Sequence, residues 1–404
     1  MNRWLRLCSI VALLLLCGAA LTGGPTVTSA QQVGTFVGLV INENGNAISA
    51  IDPATRSVIG MLDTGGVLNK PHLAYYDPAT KRLYVANKAG NFAVYDLANP
   101  LAPKLVANVK PGGDGEMHWV AMGGGLVWVA HEGDSTLYGY DPADLTTPKV
   151  KFGKDQGLNA THGAAVRPGT DEIWVTNRPA NAPGTVIRIN TKTRAIIGQP
   201  LQTTGTAGDR PNNVGFTPDG RWAYAVNTGT AATQITLIDA NSFTVVKQIE
   251  QDAKQGLSPH ALIYHAPTKR FFVANQSGNT VSALDTVTNT IIGYIPIGIE
   301  PHGVSVSPDG TIYASARKGN EISIIDPQSL TVISKIMTPA IVGPHQIIFI
   351  ELPATAPGMP NTGAGGQRPW VGLPLALLAA LGGTLLVGAF LAVLRRRSAW
   401  GWAR

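Results

Sequence analysis

The sequence predicts an all-β chain of seven like units, and three observations carry that expectation. Strand-like runs end at Asp52, Asp96, Asp141, Asn190, Asp239, Asp285 and Asp326, in steps of 41 to 50 residues. A second series, His72, His118, His162, Asn212, His260, His302 and His345, keeps steps within the same limits. Between residues 35 and 350 the apolar positions alternate in short runs and show no helical period. A repeat of that length, holding four short strands, has the dimensions of a propeller blade. Seven of them arranged radially make a seven-bladed β-propeller.

One unit shows how the strands are read. Pro301-His302-Gly303-Val304-Ser305-Val306 alternates as a first strand, and Ser307-Pro308-Asp309-Gly310 turns. Ile312-Tyr313-Ala314-Ser315 forms the second strand, residues 321–326 the third and residues 332–336 the fourth. The order recurs from Pro259-His260 through Phe272-Val273-Ala274-Asn275 to Asp285, and from Pro71-His72 through Tyr84-Val85-Ala86-Asn87 to Asp96. The Pro, Gly, Asn and Asp residues between runs supply the dihedrals that hairpin turns require.

The first unit is offset. Thr35-Phe36-Val37-Gly38-Leu39-Val40-Ile41-Asn42 matches a second strand and has no Pro-His strand before it. The last Pro-His run, Pro344-His345-Gln346-Ile347-Ile348-Phe349-Ile350, has no later strands after it. Two parts of one blade therefore stand at opposite ends of the domain, and pairing them closes the ring without an open sheet edge.

These units resemble the YVTN-type β-propeller repeat, whose pattern runs roughly P-x-G-V-x-V-x-P-D-G, Y-V-x-N, V-S-V-I-D-x-x-T. The matching stretches are residues 301–310, Tyr84-Val85-Ala86-Asn87, Phe272-Val273-Ala274-Asn275 and Thr280-Val281-Ser282-Ala283-Leu284-Asp285. The resemblance covers residues 35–350 and implies the fold; that repeat class hosts many functions.

Residues 1–30 read as a secretory signal: Arg3 and Arg6, an apolar run over residues 7–21, then Thr28-Ser29-Ala30. Both cysteines, Cys8 and Cys17, fall inside it, so the mature chain is expected to have no disulfide, thiolate ligand or cysteine nucleophile. The propeller is assigned to residues 31–351, and a Pro/Gly-rich linker to 352–369, too poor in large apolar residues to pack. Residues 370–394 form a transmembrane segment, of which 371–394 are apolar and uncharged, and 395–404 form a basic cytoplasmic tail. Met359-Pro360-Asn361-Thr362-Gly363, the apolar span and Arg395-Arg396-Arg397 together resemble a sortase sorting signal of the L-P-x-T-G kind, with Met in place of Leu. The resemblance implies cleavage between Thr362 and Gly363, with sortase and the cell wall as partners; the alternative is a one-span membrane anchor. Both readings put the propeller, expected as a monomer, outside the cell, where its ligand or protein partner is open.

The formal charge of +6 does not describe the exported domain. Seven of the 31 basic residues lie in the signal or beyond the sorting motif, leaving 24 against 25 acidic ones. No basic run is present, and nucleic acid is not an expected partner.

The first strand of each propeller blade lines the central channel. His72, His118, His162, His260, His302 and His345 are therefore expected to converge on one mouth of that channel, with Asn212 in the seventh place. Neutral imidazoles bind zinc, copper and iron without help from cysteine. Six exceed the need of four-coordinate zinc, so copper or a small cluster is as open as zinc. Because Asn212 interrupts the ring, the tightest group is expected to be His302, His345, His72 and His118. Occupancy is expected to fall as pH drops through the ordinary histidine range near 6.5. The arrangement resembles the copper-binding propeller of nitrous-oxide reductase, but the chain has no paired His-His and no second copper domain, so reductase chemistry is not expected. The alternative is that the histidines hydrogen-bond neighbouring blades and bind nothing.

His131 falls in the slot of Asn42, Asn87, Asn177, Asn227 and Asn275 at the end of the second strand, and Arg317 is read into the same slot; both are expected to join the rim. His265 is expected on the surface of the opposite face. Asp114, Glu116, Asp209 and Glu300 precede first strands, and Glu43 and Glu132 follow second strands. A histidine, a carboxylate and Arg317 could polarise a lactone carbonyl, as fold analogy with propeller lactonases implies. No phosphate loop, serine nucleophile elbow or paired-carboxylate motif appears. The repeated Asp before Pro or Thr reads as a turn cap rather than a calcium ligand. The function read from sequence is thus a surface-held binding module, with a metalloprotein or lactonase-like hydrolase as the alternative.

Overall fold

The computed structural model describes residues 35–353 apart from 113–114, 206–207 and 230–231. Residues 1–34 and 354–404, which carry the expected signal, sorting motif, apolar span and basic tail, lie outside the described residues. Among the described residues no helix is long and apolar enough to cross a membrane.

The described strands form seven four-stranded antiparallel sheets, one per repeat. Six follow chain order, as in Pro259–His265, Arg270–Asn275, Thr280–Asp285 and Thr290–Pro296. The seventh is composite: the C-terminal strand Pro344–Glu351 pairs antiparallel with the N-terminal strand Phe36–Asn42 from Phe36↔Glu351 to Asn42↔Pro344. The expected closure is present, and it satisfies the backbone edge that Phe36–Asn42 would otherwise expose.

Alternation along the second strands decides where the core sits. Leu83 and Val85 pack towards the first blade, whereas Tyr84 and Ala86 on the other face pack towards the third. Every pair of neighbouring blades shares such a buried cluster, for example Phe272, Ala274 and Ala283 against Val304, Ile312 and Ala314. The seam between the last blade and the composite one is packed by Tyr313, Ile322 and Ile324 against Val40, Ile51 and Ile347. The apolar core is therefore a ring of seven inter-blade layers.

The acidic series caps turns. The carboxylates of Asp52, Asp96, Asp141, Asp239, Asp285 and Asp326 each accept the backbone N–H two residues on, at 2.7–2.9 Å, and the Asn190 amide oxygen does so at 3.0 Å. The third-to-fourth-strand turn is thus built seven times by the same side-chain-to-backbone bond.

Candidate metal centre

Each histidine of the series reaches the hub through the same irregularity. In all seven blades the pairing of first and second strands slips by a residue at the histidine slot. Pro259 pairs with Asn275 and Ala261 with Ala274, which leaves His260 as the extra residue. Bulges of this kind stand at His118, Asn212, His302 and His345, and wider ones span His72 and His162. A bulge re-aims a side chain that strict alternation would place against a neighbouring blade. The neighbouring backbone comes very close here: a Cβ on Gly303 would stand 1.9 Å from the carbonyl oxygen of His345. Ser315 Oγ accepts the Gly303 N–H at 3.1 Å and donates to that carbonyl at 2.6 Å, tying the two blades together beside the bulge.

The six histidines do converge, but below the rim expected for them. All are 1–6% exposed, and five of them, His72, His118, His162, His260 and His302, line a cavity of about 450 Å³. The rim is a second ring, made by the residue after the asparagine place of each second strand: Glu43, Lys88, Glu132, Arg178, Thr228, Gln276 and Arg317. The register corrects the slot given to Arg317. Ala316 pairs with Pro301 as Asn275 pairs with Pro259, so Ala316 holds the asparagine place and Arg317 the rim place. The rim was legible in the sequence as the position after Asn42, Asn87, Asn177, Asn227 and Asn275, but its mixed chemistry hid it.

Two other histidines differ from expectation. His131 is fully buried, with Nδ1 2.9 Å from Asp134 within its own hairpin, and does not line the cavity. His265 is 2% exposed and bonds Thr268 Oγ1 at 2.7 Å, so it is interior on its face. Among the acidic candidates, Glu43, Glu116, Glu132 and Glu300 contact the hub histidines or the rim cations, while Asp209 does not line the cavity and Asp114 lies outside the described residues.

Ion pairs lock the rim. Glu43 receives Arg317 Nη1 at 2.8 Å and Lys88 Nζ at 3.2 Å on Oε1, and His72 Nδ1 at 3.0 Å on Oε2. Glu300 is held by Arg317 through Nε and Nη2 and by Lys318 at 2.6 Å. His118 Nε2 stands 2.9 Å from Glu116 and 3.0 Å from Glu132. Asn212 is occupied as a spacer: its amide donates to the His260 carbonyl at 2.9 Å and accepts from Arg178 Nη1 at 2.7 Å.

Burial drives His72, His162, His302 and His345 well below the usual histidine range, and neighbouring imidazoles and cations push the same way. Burial, with Arg178, pushes His260 down to about 3. Burial alone would raise Glu43, but His345, Lys88 and Arg317 outweigh it and hold its carboxyl at about 2. These five imidazoles are therefore neutral well below pH 6.5, which moves their titration away from the ordinary range expected from sequence.

Neutral imidazoles present lone pairs. His162 Nδ1 faces the Asn212 carbonyl at 2.9 Å and His260 Nδ1 faces the His302 carbonyl at 3.1 Å, so in both rings Nδ1 donates and Nε2 carries the lone pair. His72 Nε2, His118 Nδ1, His302 Nδ1 and both nitrogens of His345 are buried without a hydrogen-bond partner. Buried polar atoms are rarely left so, and this concentration in one ring is what an ion would relieve. Ligand atoms within 4.8 Å of one another occur in three sets: His72, His118 and His162; His260, His302 and His345; and Glu43, His72 and His345. The ring thus offers two sets of three histidines, joined by the third set where the His72 and His345 ring centroids stand 3.9 Å apart.

No known family profile matches the chain. A 50-residue stretch is 48% identical to the PE-PGRS family protein PE_PGRS18 of Mycobacterium tuberculosis, covering 12% of this chain and 11% of that protein. The chain thus spans only a small part of that relative. Among solved structures it is similar to a candidate 6-phosphogluconolactonase from Bacteroides uniformis, with 16% identity and a TM-score of 0.64 over 78% of this chain and 100% of that one. The periplasmic gluconolactonase PpgL of Pseudomonas aeruginosa gives 16% identity and a TM-score of 0.63 over 79% and 100%. Apo AztD of Citrobacter koseri gives 12% identity and 0.55 over 80% and 99%. At these identities the likeness is one of fold: the chain is a seven-bladed propeller similar to the 6-phosphogluconolactonase-like propellers.

Proposed function

We propose that this chain is an exported propeller, held at the cell surface by its C-terminal sorting signal or span, that binds a transition-metal ion at its histidine hub. The observation that carries the reading is the ring of buried imidazole nitrogens without partners, grouped at ligand spacing. Nitrogen donors with no thiolate suit zinc or copper. The N-terminal signal, Met359-Pro360-Asn361-Thr362-Gly363 and the apolar span after it support an extracellular place. Elemental analysis of the natively purified full-length protein, and of the same protein dialysed after incubation with Cu²⁺ and Zn²⁺ at neutral pH, tests the reading. Retained metal is expected. Protein that retains none returns the histidines to a structural role.

A second reading is lactone hydrolysis. It rests on Arg178 and Arg317 lining one cavity with His162 and His302, cations able to polarise a carbonyl beside imidazoles that can hold a water. Turnover of gluconolactone by the purified protein, lost on His162→Asn, is the outcome that would favour it over binding.

A further inference from the structure

Resting on the metal reading, we infer that the hub holds two metal ions of unequal affinity, the tighter at His72, His118 and His162 and the weaker at His260, His302 and His345.

The two sets form halves of the ring that are separated on one side by Asn212, where the His162 and His260 ring centroids stand 6.4 Å apart, and meet on the other, where those of His72 and His345 are 3.9 Å apart. Within the first half the neighbouring rings are 4.5 and 4.4 Å apart, and within the second 4.2 and 5.0 Å. The halves are alike in ligand type and spacing, so what distinguishes them is how each ring is held.

In the first half every ring has one nitrogen anchored by an oxygen, and the other left for an ion. Glu43 takes His72 Nδ1 at 3.0 Å, and Glu116 and Glu132 take His118 Nε2 at 2.9 and 3.0 Å. The Asn212 carbonyl takes His162 Nδ1 at 2.9 Å. His72 Nε2 and His118 Nδ1 are the buried, unbonded atoms that remain. Such outer contacts fix tautomer and ring orientation before the ion arrives. The three carboxylates are themselves paired with rim cations, Glu43 with Lys88 and Arg317, Glu116 with Lys88 and Glu132 with Arg178, so what they supply to the site is ring orientation.

In the second half only His260 is anchored, by the His302 carbonyl at 3.1 Å. His302 Nδ1 lies 3.8 Å from Glu300 and His345 Nε2 3.9 Å from Glu43, both beyond a hydrogen bond, and neither nitrogen of His345 is hydrogen-bonded. Glu300 is itself engaged by Arg317 and Lys318. An ion in this half must set two ring orientations as it binds, at a cost in affinity. Glu43, within ligand range of both His72 and His345, stands at the junction between the halves.

The test is calorimetric titration of the full-length protein with Zn²⁺ alone, with elemental analysis for stoichiometry. Asparagine is the replacement, because the fifth blade carries Asn212 in the equivalent slot, and thermal melting confirms that each variant folds. Two binding steps are expected, separated by at least about tenfold. His118→Asn removes the tight step and leaves the weak one, whereas His302→Asn removes the weak step and leaves the tight one. Glu116→Gln with Glu132→Gln weakens only the tight step, by about 10- to 100-fold, the usual effect of losing such outer partners. One ion per chain, abolished alike by His118→Asn and His302→Asn, would overturn the two-site inference while leaving metal binding intact. Two steps of equal affinity, or a tight step that follows His302, would overturn the assignment. No binding by the folded wild-type protein would overturn the metal reading itself.

Discussion

A histidine buried neutral in the fold but free to protonate when unfolded makes stability depend on pH. His260, held at about 3, binds a proton in the unfolded chain below about 6.5 but not in the folded one. Its contribution is fully present above pH 6.5 and is lost progressively as pH falls from there towards 3. His72, His162, His302 and His345 are displaced in the same direction, so their losses add. Glu43, held at about 2, contributes in the same sense once pH falls below the ordinary carboxylate range. The metal-free protein is therefore expected to lose melting temperature steeply between pH 6.5 and 4, and His260→Asn should flatten that slope. Equal slopes for wild type and variant in melts across this range would refute the pH linkage. Gly303→Ala tests the hub's packing at the same scale. The new methyl would collide with the His345 carbonyl, so a loss of about 1–3 kcal/mol is expected in denaturant melts.

At the scale of the element, two repeated devices do different work. The Asp at the end of the third strand builds the hairpin, and Asp52 shows the full set, accepting from Ala54 N at 2.9 Å and Thr55 Oγ1 at 3.0 Å while itself buried. Asp52→Ala should cost about 2 kcal/mol, because it strands a backbone donor in a partly buried turn. Asp52→Asn should restore most of that, since Asn190 serves the fourth blade in the same way. The other device is the bulge at the start of the first strand, which turns one residue per blade into the hub. Alternation alone would leave these residues in register with the blade faces. The sequence showed that seven like positions exist; it did not show that their register breaks, because a bulge depends on what the partner strand can pair with.

Over the whole molecule, closure joins the ends of the domain. Removing residues 343–350 takes the inner strand from the composite blade, exposing the edge of Phe36–Asn42 and the apolar layer of Val40, Ile51 and Tyr313. The expected result is loss of the cooperative melting transition or aggregation, and an unchanged melting temperature would contradict closure by this strand. The proposed surface placement is tested at the same scale: in a sortase-positive host, Thr362→Ala should move the protein from the wall fraction to membrane or medium. A wall fraction that does not change would leave the one-span anchor as the reading.

Blade number, strand order and the split blade were legible in the chain because repetition marks them seven times, and each turn carries its own cap. The convergence of six histidines followed from topology once the repeat was aligned. Three things did not. The depth of the ring was set by bulges and by neighbouring carbonyls such as that of His345, which bring the imidazoles to 1–6% exposure. Arg317 was misplaced by one residue because Ala316 breaks the asparagine pattern, and only pairing with Pro301 restored the register. The division of the ring into two halves depended on contacts from blades distant in sequence, Glu43 to His72 across one seam and Asn212 to His162 and His260 across two others. A local pattern fixes which residues recur and which face of a strand they occupy, because those are properties of neighbouring residues. Which nitrogen of a buried ring is tied and which is left free is a property of the closed ring, since its partners come from other blades.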